Sequence, residues 1–99
     1  MAWRVEMTDE SEAQMILDIR AKKISKDDIA VLKKWIADVE ENGIEAAQVS
    51  PSWRDHELSG KWKGHRAISF SVSGRVIYGI DKGKVIVRVV KVTVDHDYS

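Results

Sequence analysis

The chain has no cysteine, one proline, one phenylalanine and no net charge at neutral pH across its 99 residues. Without cysteine there is no disulfide scaffold, no thiolate zinc site and no thiol nucleophile, and the expected compartment is a reducing cytoplasm. No apolar run approaches the roughly 20 residues of a membrane-spanning helix, so no membrane partner is expected. The N-terminus lacks the basic, apolar, small-residue order of a secretory signal. Histidines at metal-ligand spacing are missing, as are the G-x-G-x-x-G motif, the P-loop and the nucleophile elbow. No metal and no cofactor is therefore expected. The length leaves room for one core, hence a single domain over residues 1–99. With 43% hydrophobic residues, enough apolar mass is present to bury that core and to argue against disorder.

The zero net charge conceals an asymmetry. Residues 1–50 hold 7 Lys/Arg against 11 Asp/Glu, a net −4, and residues 51–99 hold 9 against 5, a net +4. Between Lys61 and Lys91 eight basic residues face one acid, Asp81, for a net +7. Such a basic half suits a polyanion-facing surface, and it equally suits the solvated face of a sheet.

The apolar spacing predicts the elements. Residues 3–7 alternate as a short strand. Thr8 or Asp9 caps a first helix, where Ala13, Ile16, Leu17 and Arg20 recur at helical spacing on a narrow stripe. Ser25 and Asp28 have capping-box spacing before a second helix carrying Ile29, Leu32, Ile36 and Val39, with Trp35 beside them and Gly43 as its stop. The short turn between the helices predicts an antiparallel hairpin. Residues 44–64, with Pro51, read as a long connection. From Arg66 the pattern is β: Ile68, Phe70 and Val72 alternate, Ser73-Gly74 turns, Val76, Tyr78 and Ile80 alternate, and Val85–Val94 is long enough to be the central strand. The order β-α-α-β-β-β predicts an α+β fold, a helical hairpin packed on a small, mainly antiparallel sheet.

The densest polar segment is Arg54-Asp55-His56-Glu57-Leu58-Ser59-Gly60-Lys61-Trp62-Lys63-Gly64-His65-Arg66. Imidazole titrates near neutrality and suits proton transfer, which singles out His56 and His65. Lys61, Lys63 and Arg66 suit phosphate, and Trp62 is either a platform for an unpaired base or a core plug. The β half adds Arg75, Arg88, Lys91, His96 and Tyr98. Arg66 and Arg75 lie on consecutive strands and are expected to face each other across the ladder.

These residues carry a resemblance. The element order, the segment D-H-E-L-S-G-K-W-K-G-H-R, the strand R-V-I-Y-G-I and the terminal H-D-Y resemble the RelE/ParE toxin superfamily of bacterial type II toxin–antitoxin systems. The middle segment is most similar to the YafQ-like branch, with its D-H-x-L-x-G-x-W-K-G-x-R. The resemblance implies a ribosome-dependent mRNA endoribonuclease (an mRNA interferase) acting at the A site. In such enzymes the RNA 2′-hydroxyl attacks the adjacent phosphate. A cognate antitoxin inhibits it in a toxin–antitoxin hetero-oligomer. It implies catalytic roles for His56, Arg66, Arg75 and His96 and puts Tyr98 near a C-terminal His/Tyr position, while charge and aromatic character make Lys61, Trp62, Lys63, His65, Arg88, Lys91 and Tyr98 the expected RNA contacts. The sequence departs from the pattern in several places: Ser69 stands where the YafQ-like branch has a strand histidine, Ser73 where an acid is expected, and His65 at a usually aromatic or variable position, while His96 and Tyr98 come about three residues later than the YafQ-like spacing. The alternatives are a ParE-like or degenerate member that acts by binding gyrase or its antitoxin alone, and a non-toxic RNA-binding domain.

Overall fold

The computed structural model describes residues 2–95. Strand β1 (Arg4–Met7) leads into α1 (Asp9–Arg20), α2 (Lys26–Asn42) and α3 (Ile44–Val49). The chain continues through β2 (His56–Glu57), a single 3-10 turn (Gly60–Trp62), β3 (Arg66–Ser69), β4 (Arg75–Asp81) and β5 (Ile86–Thr93). The five strands form one sheet in the order β1-β5-β4-β3-β2, in which only the β1–β5 pairing is parallel. The expected helical hairpin on a mainly antiparallel sheet is present.

Both helix starts follow the sequence chemistry. Thr8 caps α1 by accepting from the Ser11 amide. Ser25 and Asp28 form a reciprocal capping box at α2, satisfying two amides that the helix leaves without partners. Gly43 ends α2 at φ 89, a left-handed conformation that a side chain would strain. Leu32, Trp35 and Val39 recur on one face of α2 and are buried against the sheet. The Trp35 ring lies 5.5 Å from that of Tyr78. The core also takes in Ile44 and Ala47 from α3 and Ile68, Phe70, Val76, Val87, Val89 and Val92 from the strands.

Four expectations are corrected. Residues 44–64 are not an open connection, because Ile44–Val49 form the short helix α3, which buries Ile44 and Ala47, and His56–Glu57 pairs with β3. On α1 the side turned inward bears Ser11, Met15, Asp18 and Ile19, while Ile16 and Leu17 stay exposed. Strand β3 ends at Ser69, so Val72 sits almost fully exposed in the loop to β4 instead of extending the strand. The middle strand is β4; β5 lies one place from the edge, covered there by the short β1.

Every helix packs on the same side of the sheet, and that asymmetry positions the candidate site. Val76, Tyr78 and Ile80 on β4 face the helices, so Arg75, Ile77, Gly79 and Asp81 face away.

Candidate functional site

The strand registers order the helix-free face into rows. His56, Ala67, Ile77 and Lys91 are successive cross-strand partners from β2 to β5. One step along, Ser69, Arg75 and Thr93 form the next row. One step the other way, Gly79 pairs with Arg88, and Arg88 with Glu6 on β1. The His65 ring lies over Gly79, about where a β-carbon there would make van der Waals contact at 3.4 Å. With strands about 4.8 Å apart, His56 and Lys91 are roughly 14 Å apart at their α-carbons. The positions between them are Ala67 and Ile77, both fully buried, with Gly79 under the His65 ring beside them.

A β-bulge decides which cations reach this face. Residues 88 and 91 are an odd number apart, and a regular strand would turn them to opposite sides. The register shifts between Ile77 and Tyr78, which pair with Lys91 and Val89, leaving Val90 as the extra residue. Arg88 and Lys91 therefore share the helix-free face, while Val87, Val89 and Val92 keep to the core. Among the described residues, Arg75, Arg88 and Lys91 form no ion pair.

His56 is exposed, with Nδ1 2.9 Å from the Arg54 carbonyl oxygen. A carbonyl only accepts, so in the neutral ring Nδ1 carries the proton and Nε2 keeps its lone pair. Arg75 donates from Nη1 to the carbonyls of Ser71, Val72 and Gly74 at 3.3, 3.2 and 2.9 Å. It thus holds the β3–β4 loop at the edge of the face.

Arg66 does not face Arg75. Its cross-strand partner is Tyr78, which puts it on the helix side, and Arg75 is opposite Ser69. Arg66 Nε donates to Asp55 Oδ1 at 2.6 Å, and its Nη1 is 3.5 Å from Glu57. The Asp55 side chain is wholly buried, and its other oxygen accepts from the Tyr78 hydroxyl. Burial, and then the Asp55 carboxylate, push the Tyr78 phenol far above its ordinary value, so it stays a neutral donor. Sequence reasoning missed Asp55 and Tyr78; the signal available was a D-H pair ahead of a strand whose arginine needs a partner.

Lys61, Trp62 and Lys63 lie in the β2–β3 loop. Trp62 meets His65 edge-on at 5.7 Å, and Lys61 Nζ is 5.6 Å from the Trp62 ring centroid. Trp62 is thus half-buried at the surface and outside the core cluster. A cleft of about 1040 Å³ runs beside this loop, bounded by Trp3, Gln48, Lys63, His65 and Arg66. Among the described residues no three His, Asp or Glu side chains group around a metal-sized space, and no helix is long and apolar enough to cross a membrane. His96 and Tyr98 lie outside the described residues.

No protein-family model and no curated protein matches the sequence. Solved structures do match in shape. The E. coli DinJ–YafQ toxin–antitoxin complex contains a chain that superposes with a TM-score of 0.69 at 20% identity, covering 93% of this chain and 91% of that one. The YoeB–YefM complex from Staphylococcus aureus gives 0.67 at 9% identity, with 94% and 97% covered. A metal-bound toxin from Helicobacter pylori gives 0.70 at 17% identity, with 93% and 92% covered. The chain has the fold of the RelE-like toxins. At these identities the likeness is one of backbone, and the RelE-like fold is here decorated with its own set of polar side chains on the helix-free face.

Proposed function

We propose that the chain is the toxin of a type II toxin–antitoxin pair and an endoribonuclease that cuts mRNA in the ribosomal A site. The observation that carries this reading is the helix-free face, where an exposed imidazole whose Nδ1 is engaged by a carbonyl shares one side of the sheet with Arg75, Arg88 and Lys91, which form no ion pair among the described residues. A face of that kind suits a phosphodiester, because unpaired guanidinium and ammonium groups gain most from a ligand bearing negative charge.

The chemistry follows from these parts. His56 Nε2 takes the proton of a ribose 2′-hydroxyl, and the 2′-oxygen bonds to the adjacent phosphorus. Negative charge grows on the non-bridging oxygens, where Arg75, with Lys91 and Arg88, stabilises it. The P–O5′ bond breaks, leaving a 2′,3′-cyclic phosphate and a 5′-hydroxyl. The leaving oxygen needs a proton, and His96 at the C-terminus is the proposed donor. Lys61, Trp62, Lys63, His65 and Tyr98 are proposed to hold flanking nucleotides. Arg66, with its guanidinium on Asp55, acts in this scheme by supporting the β2–β3 hairpin.

The expected partner is a cognate antitoxin whose segment over the basic face is acidic, or amphipathic with acids along one edge. The solved neighbours that were crystallised as toxin–antitoxin complexes support such a hetero-oligomer. The test is brief induction followed by primer extension on a reporter mRNA, with and without co-expression of the adjacent small reading frame. Growth arrest with new ribosome-dependent 5′ ends, relieved by the neighbour, supports the reading. Growth arrest with intact mRNA would shift the assignment to a gyrase-directed toxin, and harmless expression without a partner to an RNA-binding domain.

A further inference from the structure

We infer that Asp55 is a positioning residue: buried between Arg66 and Tyr78, it fixes the Arg54 carbonyl against His56 and so dictates which imidazole nitrogen is free on the opposite face of the sheet. The inference rests on the proposed role of His56.

Asp55 and His56 are adjacent in an extended segment and point to opposite sides. Asp55 turns toward the helices, where its side chain is wholly buried against Arg66 and Tyr78. His56 turns to the helix-free face and pairs with Ala67. The pairing itself is thin. Strand β2 is two residues long, lies at the edge of the sheet, and is continued by one further bond from the Leu58 amide to the His65 carbonyl. Two residues of edge strand are too few to hold a side chain to sub-ångström precision.

The backbone just before His56 is, in addition, in a conformation that it would not choose. Arg54 sits at φ 52, in the left-handed region that non-glycine residues avoid. Such a residue persists where its neighbours over-determine it, and both neighbours do. On one side, the Trp53 indole donates to Asp38 at 2.8 Å and the Trp53 carbonyl accepts from the Ser69 amide at 2.9 Å. On the other, Asp55 is held by two strands at once. The turn directs the Arg54 carbonyl at His56 Nδ1, 2.9 Å away. An imidazole free in water favours the opposite tautomer, with the proton on Nε2. The clamp therefore does chemical work: it keeps Nε2 unprotonated, as a base must be.

The test reads the tautomer directly, in the full chain, from ring-nitrogen chemical shifts of 15N-labelled histidine at a pH where the rings are neutral. The expected wild-type pattern for His56 is Nδ1 protonated. Asp55→Leu, which keeps the branched shape but offers no acceptor, should move His56 toward the Nε2-protonated form and lower cleavage at least tenfold. Asp55→Asn, whose oxygen still accepts from Arg66 and whose amide still bonds Tyr78, should retain the wild-type tautomer. A wild-type His56 protonated on Nε2 overturns the inference, and this measurement needs no variant to fold. So does a folded Asp55→Leu chain with an unchanged tautomer. A wild-type chain with the expected tautomer but no RNA cleavage supports the clamp while refuting the nuclease reading, so the two fail separately.

Discussion

Replacing Arg66 by methionine separates the two roles that this arginine can have. The substitution keeps much of the aliphatic stem and removes the guanidinium from a carboxylate whose side chain is wholly buried. Removing one partner of a buried ion pair typically costs about 3–5 kcal/mol, because the other charge is left without compensation. Two features reduce that here. The Arg66 side chain is itself 25% exposed, so water can reach the vacated position, and Tyr78 continues to donate to Asp55. Discounting that range for these two features leaves an expected loss of about 2–3 kcal/mol. At about 4–8 °C per kcal/mol for a domain of this size, the melting temperature should fall by roughly 10–20 °C. Urea denaturation measures it, with an unchanged m-value showing that the same surface unfolds. The double variant Arg66→Met with Asp55→Leu should recover much of the loss, since an apolar pair of similar shape replaces the ionic one. Below its own melting transition, Arg66→Met should keep far more cleavage than Arg75→Ala. An Arg66→Met chain that melts with the wild type but cannot cut RNA would refute this reasoning and return Arg66 to the reacting phosphate.

Arg75→Ala should lower the cleavage rate by about 10²–10³, the usual loss for one transition-state charge contact, and, because Nη1 also gathers three loop carbonyls, should cost about 1 kcal/mol in stability; Arg75→Lys should restore little of either. Gly74→Ala would place its β-carbon 2.5 Å from the buried Phe70 ring, so a loss of about 1–3 kcal/mol is expected in thermal melts. Val85, a β-branched residue at φ 58, should accept glycine or asparagine with a gain of about 1 kcal/mol, read as a raised melting temperature. The Trp53 indole and then Asn42 hold Asp38 below its ordinary value of 3.8; its contribution is complete above pH 4 and is lost as pH falls through the lowered value, so Trp53→Phe should flatten acid unfolding in that range.

Much of the frame could be read from the residues, because local chemistry there agrees with the global fold. The Ser25–Asp28 capping box, the Leu32–Trp35–Val39 face and the Val76–Tyr78–Ile80 alternation each signal one structure and adopt it. Other features depend on partners distant in sequence. Six residues of α3 are too few for periodicity to show, and its burial comes from packing against α2. Nothing local marks Val90 as a bulge, yet the bulge brings Arg88 and Lys91 to one face. In the candidate site, His56, Arg75, Arg88 and Lys91 are gathered on the helix-free face, and His65 lies over Gly79 beside them. Arg66 has the composition of a phosphate ligand, and only its register with Tyr78 reveals that it faces the other way. Asp55 drew no functional reading in the sequence because a carboxylate beside a histidine looks like loop polarity until its burial is known.

The most direct measurement is cleavage of a ribosome-bound mRNA by the purified chain, with the ends of the products identified. Wild-type protein should give 5′-hydroxyl and 2′,3′-cyclic phosphate termini at A-site positions, His56→Gln and Arg75→Ala should lose at least a hundredfold in rate while remaining folded, and Glu6→Gln on the outer strand should cut normally. No cleavage by the wild-type chain, or full cleavage by folded His56→Gln and Arg75→Ala variants, would contradict the assignment of the helix-free face as the site of chemistry.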